Sequence, residues 1–497
     1  MYWLKISFIL CMFGLLKDFR PSESFVTDYL TGPWKNFTHA QVNQEIYPVS
    51  TYSYFLTLVI IFLITDFVRY KPIIILCSLS GMIAFLVLIF GKTVPVVQIT
   101  EFFYGLFLSS EVAYYTYIYA KVDKKHYQEV TGHTKAASLV GRCMAGIIAQ
   151  LTASFHILDF HELNYLTIAA FGLATIWTFF LPSVGQSIYF HSPIYDQSIT
   201  TAPADTVKSS ESDNCYEFDR HKQSRYNPAK RNNVTSMSSK LKHAYALLWQ
   251  HFLNAYTHHH IVKWSMWWAF STCGYLQITN YAQLLWQTAV ESYDDIYNGA
   301  VDACYAIIGA STVFVISKIP FNWPVIGDVT LTLFALIEGG LIILCSYNYN
   351  IWVLYTAYII FGVVYHTMVT VASFEVAKNI SEDSYGLIFG TNIFLALLFQ
   401  SLLTLIVING NLGDTIRSQF FIYGCYYIIL AVIFLIIAIY TIIKRYRNGD
   451  KFEIWLKNKN IRKSIDNIDN NESFNTNSTV SKNDILTVQS EDKYCVN

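Results

Sequence analysis

Runs of about twenty apolar residues recur along this chain, and each is long enough to cross a hydrocarbon core of about 30 Å as a helix. They fall near residues 5–30, 49–68, 72–91, 96–121, 134–156 and 163–181, and again near 261–286, 298–318, 325–347, 351–376, 385–408 and 417–443. Composition agrees, because 53% of the 497 residues are hydrophobic and 14% are charged, which leaves a soluble domain too little polar surface to cover itself. The expectation is an all-α polytopic membrane protein with about twelve transmembrane helices in two sets of six.

A stretch rich in Ser, Asp, Lys and Asn separates the two sets, without a periodic apolar pattern. The chain therefore divides into a bundle over 1–182, a linker over 183–260, a bundle over 261–443 and a polar tail over 444–497. Near the end of the linker Leu241, Tyr245, Leu248, Trp249 and Phe252 recur at helical spacing, which predicts an amphipathic helix lying on lipid. Basic residues in short loops, Arg69 and Lys71, then Lys121, Lys124 and Lys125, then Lys444 and Arg445, fall on one side if the spans number twelve. That side is the cytoplasm, so both termini are expected there. The loop after the first span then faces outward and carries Asn36-Phe37-Thr38, an N-glycosylation acceptor sequence. The first run lacks a small-residue cleavage site and reads as a retained helix rather than a leader. Seven of the nine cysteines lie in spans and two in cytoplasmic segments, so no disulfide framework is expected.

Two carboxylates, Glu101 and Glu111, lie inside the span near 96–121. An ionisable group at membrane depth costs several kcal/mol, and it is retained where it faces a partner, a proton or a ligand. Glu101 and Tyr104 are three apart and Glu111 returns to nearly the same stripe two turns on, so one helix face offers two carboxylates and a phenol. Glu111 reads as a second site group or as half of an ion pair, with Arg142 of the next span its candidate partner. Asp66 and Arg69 sit between spans two and three, where acid and base can latch helices in one conformation. Glu338, Glu375 and His366 are further candidates to carry a proton, and His258–His260 reads as a polar helix flank rather than a metal site. There is no HExxH, GxSxG, Walker loop or paired-Cys motif, so no enzyme, metal or cofactor is expected, nor any nucleic-acid partner. Two six-span halves joined by a long linker match the major facilitator arrangement, with a small-molecule substrate held between the halves.

Several blocks carry a resemblance: RPSESF at Arg20, TYSY at Thr51, TDFVRYKP at Thr65, EFFYG at Glu101, EVAYYTYIYAKV at Glu111, WSMWWAF at Trp264, NYAQLLW at Asn280 and IYNGAVDA at Ile296. In that order they resemble the reduced folate and thiamine carrier family across most of residues 15–440. The resemblance implies vitamin transport by alternating access, uptake through the plasma membrane, and no cofactor. By resemblance to the thiamine branch, Glu101 and Tyr104 contact an aminopyrimidine, Asn280 bonds it from the second half, Glu23 adds negative potential, and Tyr47 and Tyr281 form aromatic walls. Folate carriers place basic residues where this chain has Gly362 and Gln400, and tend to have one at Glu111. That favours a cation such as thiamine over a dianionic folate. A reduced folate carrier and, below it, a non-transporting receptor are the alternatives. Arg142 departs from the thiamine pattern, which has an uncharged or aromatic residue there; facing the cavity unpaired, it favours an anion such as folate or a phosphorylated thiamine. Ser50 replaces a Trp of some thiamine carriers, and Lys135 matches a basic position in both branches. With no nucleotide motif, protonation of Glu23, Glu101 or Glu111 is the expected means of coupling.

Overall fold

The computed structural model describes residues 2–122, 126–184, 249, 252–253, 256–290, 296–319, 321–378, 380, 385–410 and 412–448. Twelve long helices account for most of these residues. In the first half they are α1 (Tyr2–Asp18), α2 (Tyr47–Val68), α3 (Lys71–Phe90), α4 (Val94–Lys121), α5 (Tyr127–Ser154) and α6 (Glu162–Thr178). The second half has α7 (His259–Gln287), α8 (Asn298–Lys318), α9 (Trp323–Tyr347), α10 (Ile351–Ala377), α11 (Tyr385–Thr404) and α12 (Ile416–Asn448).

Eight of these segments are long and apolar enough to cross a membrane on hydropathy alone; α1, α4, α6 and α7 fall short of that measure. The first and third of these have 17 residues each. Helices α4 and α7 are long, but Glu101 and Glu111 dilute one, and Gln277, Asn280, Gln283 and Gln287 dilute the other. Polar residues placed where a span should be apolar point to a protein interior rather than lipid.

The first span departs from the single helix expected over 5–30. Helix α1 stops at Asp18, a tight 3₁₀ turn runs over Pro21–Phe25, and a short helix resumes over Val26–Thr31. Pro21 has no N–H to continue the ladder, and Arg20 before it leaves the helical region at φ −127°, ψ 71°. Broken backbone at membrane depth is tolerated only where protein or a cavity satisfies it. Here Ser22 N donates to Thr167 Oγ1 of α6 at 3.2 Å, and Gln283 Nε2 of α7 donates to Glu23 O at 2.8 Å.

Within the first half α1 packs on α5 and α6, and α4 on α2 and α3; within the second, α7 packs on α10 and α11, and α9 on α12. The halves meet where α5 crosses α8 and where α2 crosses α11. The first crossing depends on two glycines, since a Cβ on Gly146 would sit 2.5 Å from Gly299 O, and one on Gly299 would sit 2.7 Å from Gly146 O. Small residues let helix backbones approach without a side chain between them. Gly105 serves α4 in the same way, its Cα facing Tyr54 N and Ser50 O of α2.

Helix α2 ends with Arg69 and Tyr70 both in the left-handed region, at φ 68° and 65°. Two such non-glycine residues in a row mark a turn held by its surroundings. Lys71 then donates to Phe179 O beyond α6 at 3.0 Å. The Asp66 side chain lies outside the described residues, so its pairing with Arg69 stays an expectation. Of the expected linker helix, Trp249, Phe252 and Leu253 are described; Trp249 is exposed and stacks on Phe252, which contacts Tyr256. Leu241, Tyr245 and Leu248, and the tail beyond 448, lie outside the described residues.

Candidate substrate site

The break in the first span places Arg20 and Glu23 opposite α4. The Tyr104 hydroxyl donates to Glu23 Oε1 and accepts from Arg20 Nη1 at 3.1 Å, and Arg20 Nη1 meets Glu23 Oε2 at 2.9 Å. Arg20 Nη2 also reaches Asp18 Oδ1 at 3.4 Å, and its guanidinium lies 5.2 Å above the Phe107 ring centre. Lower on the same face of α4, Glu111 Oε1 pairs with Lys17 Nζ at 2.6 Å, and that ammonium also bonds Asp18 Oδ2 at 2.8 Å. The stripe of α4 that carries Tyr104 and Glu111 thus turns toward the first span.

Arg142 is not the partner of Glu111. Its Nε lies 3.7 Å from Asp18 Oδ1, so Lys17 answers Glu111 while Asp18 gathers Lys17, Arg20 and Arg142. Three cations, Lys17, Arg20 and Arg142, are matched in this network by three carboxylates, Asp18, Glu23 and Glu111. Burying charge this way is tolerated only when each ion is paired. Glu101 stands apart: it is buried at 9% exposure and has no ion pair among the described residues. It lies about two turns into α4 from the end of the bundle that carries Asn36.

The second half contributes uncharged groups for the most part. Asn280 Nδ2 of α7 approaches Thr51 Oγ1 of α2 at 3.5 Å. Next to it the Tyr281 ring meets Tyr47 edge to face at 5.8 Å between centres, and the Tyr47 hydroxyl bonds Thr27 Oγ1 at 2.5 Å. The Tyr281 hydroxyl is buried with no hydrogen-bond partner among the described residues. Deeper, Tyr275 stacks on Tyr365 at 3.8 Å, bonds the Tyr305 hydroxyl at 2.8 Å and approaches His366 Nε2 at 3.3 Å. Gly362 faces the Tyr305 ring, which fills the space a side chain there would need, and Gln400 is buried. Neither position offers a cation.

Hydrogen bonds between the halves gather toward the Asn36 end. Asp28, fully buried, accepts from Gln287 Nε2 at 2.7 Å and from Asn298 Nδ2 at 3.1 Å. Thr27 N donates to Gln283 at 3.0 Å, Ser24 to Asp302 at 2.6 Å, and Gln150 Nε2 to Ile296 O at 3.0 Å. Toward the linker end the described contacts between halves are apolar, such as Phe55 against Phe394 and Gly390 against Phe62. Asn36 itself is exposed in its loop at φ 55°.

Sequence reasoning missed Lys17, Asp18, Arg20 and the Asp28 cluster. A signal was there for the first three, since KDFR interrupts an apolar run as sharply as Glu101 does. Asp28 gave none, because Gln287 and Asn298 reach it from more than two hundred residues away in the chain.

A family description of the reduced folate carrier matches residues 1–422. The chain belongs to the reduced folate carrier family. Among its relatives are thiamine transporter 2 of Homo sapiens, 36% identical over 448 residues that cover 88% of this chain and 90% of the relative. Thiamine transporter 1 of Mus musculus is 37% identical over 469 residues, covering 90% and 92%. Folate transporter 1 of Caenorhabditis elegans is 34% identical over 440 residues, covering 87% and 92%. The fold is that of the major facilitators: a D-xylose–proton symporter superposes with a TM-score of 0.56 at 12% identity over 87% of this chain and 97% of its own. A POT family transporter in complex with 5-aminolevulinic acid gives 0.57 at 12% identity, covering 88% and 96%. This member of the family is therefore a multi-pass membrane protein built of two packed six-helix halves.

Proposed function

We propose that this carrier takes up thiamine across the plasma membrane by alternating access, without catalysing covalent chemistry. The observation that carries the reading is the state of Glu101. Asp18, Glu23 and Glu111 each have a protein cation, whereas Glu101 is buried beside Tyr104 with no ion pair among the described residues. A permanent organic cation supplies the missing charge, and the Tyr47 and Tyr281 rings with Asn280 offer faces and a hydrogen bond for its aromatic part. The thiamine transporters among the relatives agree with that charge argument.

Bonds between the halves near the Asn36 end, with apolar contact near the linker end, fit a carrier closed on one side and accessible from the other. With the basic loops in the cytoplasm the termini lie inside, Asn36 lies outside and can hold a glycan, and the conformation faces inward. Release of the Asp28, Gln283 and Gln287 bonds would let the halves rock apart outward, with Asp66 and Arg69 at the opposite gate. A proton competes with the cation for the Glu101 carboxylate, which gives substrate release a route to proton coupling.

The test is uptake of labelled thiamine and labelled reduced folate, side by side, in cells lacking endogenous carriers. Thiamine uptake that falls about tenfold or more in Glu101→Gln supports the reading. Folate uptake in its place, indifferent to Glu101→Gln, would transfer the chain to the anion-carrying branch. Binding without uptake would make it a receptor.

A further inference from the structure

Asp28 ties the two halves together at the Asn36 end, and the hydrogen bonds around it suit only one of its protonation states. Its side chain is fully buried and has no ion pair among the described residues. Oδ1 lies 2.7 Å from Gln287 Nε2 of α7, and Oδ2 lies 3.1 Å from Asn298 Nδ2 of α8. A side-chain amide can present either its oxygen or its NH2, so the way each amide points decides whether Asp28 must accept or donate.

Both amides are oriented by backbone groups farther out. On one side the Thr31 hydroxyl donates its single proton to Thr27 O at 2.9 Å. Its oxygen can then only accept, so Gln287 turns Nε2 toward Thr31 at 2.9 Å and, with the same nitrogen, toward Asp28. Gln287 holds that orientation although its own Oε1 is left buried without a partner among the described residues. On the other side the Tyr297 N–H donates to the Tyr355 hydroxyl at 3.2 Å, and that hydroxyl donates to Asn298 Oδ1 at 2.8 Å. With its oxygen engaged, Asn298 offers Asp28 its NH2. A carbonyl at one end of the chain of bonds and a backbone N–H at the other thus fix its sense, and Asp28 in the middle meets N–H on both oxygens. A carboxylate fits there by accepting twice. A proton on either oxygen would set O–H against N–H, and turning Gln287 to relieve it would set the amide oxygen against the Thr31 lone pairs.

The other titratable groups around the latch leave this assignment to Asp28. Tyr297 and Tyr355 belong to the chain of bonds, and Tyr47 of α2 bonds Thr27. Asp302, one turn beyond Asn298 on α8, accepts from Ser24 at 2.6 Å. On the first span Glu23 pairs with Arg20, and on the α6 side His161 bonds Tyr29 at 2.9 Å.

We propose that Asp28 is the proton-binding site of the outer gate: the gate closes on the ionised side chain, and a proton taken up from outside when the halves part holds it open. This role rests on the alternating-access reading. Closure returns the proton to the side it came from, so acid outside slows the cycle but no proton crosses with the substrate at this site.

The experiment uses full-length carrier without its native cysteines, in lipid nanodiscs, with spin labels at Lys92 and Leu412. These are exposed residues beyond α3 and α11 at the Asn36 end, one in each half. Distances between the labels give the ratio of open to closed outer gate as the pH is lowered, with and without thiamine. The wild-type ratio should rise with acid by up to about tenfold per pH unit, the limit for one proton. Asp28→Asn, which puts NH2 where a protonated oxygen would be, should raise the ratio about tenfold at neutral pH and remove the response. Asn298→Asp alone sets two acids face to face, so acid should now close the gate, one shared proton supplying the missing donor. Asp28→Asn combined with Asn298→Asp restores N–H against carboxylate and should close the gate again at neutral pH. The wild-type titration decides the matter even where a variant fails to fold. A wild-type ratio that thiamine shifts and acid does not, a response that survives in Asp28→Asn, or a paired exchange no more closed than Asp28→Asn overturns the proton site alone. One fixed distance under every condition means that the outer ends never part, and overturns alternating access with it.

Discussion

The two halves bring different chemistry to their shared interior. The first half contributes six charged side chains, Lys17, Asp18, Arg20, Glu23, Glu111 and Arg142, linked in one network, with Glu101 beside it. Facing them, α7, α8 and α10 offer the amide of Asn280, the phenols of Tyr275, Tyr281 and Tyr305, and the imidazole of His366, with Asp302 as an acid. A ligand between the halves would be read for charge by one and for shape and ring faces by the other. Binding then bridges the halves, which is what couples occupancy to their relative motion.

The largest effect that would break this comparison is expected from Lys17→Ala. It leaves Glu111 without a cation while Asp18 keeps Arg20 and Arg142, at a cost of about 3 kcal/mol, read as thermal stability in detergent. Lys17→Met combined with Glu111→Met should recover most of that loss; recovery would mean the pair is structural rather than a binding element. If the single variant is as stable as the wild type, the balanced network is not what holds the first half together.

Gly146→Leu should follow, because its side chain would run into Gly299 O and Ala303 N at the α5–α8 crossing. Overpacking of about 1–3 kcal/mol would weaken closure at the Asn36 end. Faster labelling of a cysteine placed at Thr31, in a background without the native cysteines, is the check. Asn298→Ala removes one of the two amides on Asp28 and should shift the same labelling in the same direction by about 1 kcal/mol. An order reversed between these two would place the latch in the hydrogen bonds rather than in helix packing. The smallest effect is expected from Asn36→Gln, which should abolish a glycan-dependent gel shift while changing stability by no more than about 0.5 kcal/mol.

How far the sequence reached depended on whether a property is local. Span number, the division into two sets and the unusual carboxylate at Glu101 were legible, because a bilayer imposes its demands on each twenty-residue window separately. The resemblance in EFFYG and NYAQLLW pointed to Tyr104 and Asn280 for the same site; in the structure Tyr104 meets Glu23 and Arg20, while Asn280 of the second half approaches Thr51 of α2. The break at Arg20-Pro21 was written in the proline, yet the chain around it is apolar enough to read as one continuous helix.

Ion pairing lay beyond that reach. Glu111 has Arg142 as a reasonable partner on sequence, and the fold gives it Lys17 instead, since α1 rather than α5 faces that turn of α4. Asp28 met its amides only once the second half was docked on the first. The sequence by itself determined which segments enter the membrane and that a charge waits there, because lipid tests each helix alone. Only the tertiary structure decided which charges are answered, which remain open to a ligand and which end of the bundle is closed, because those outcomes depend on the register of one helix against another.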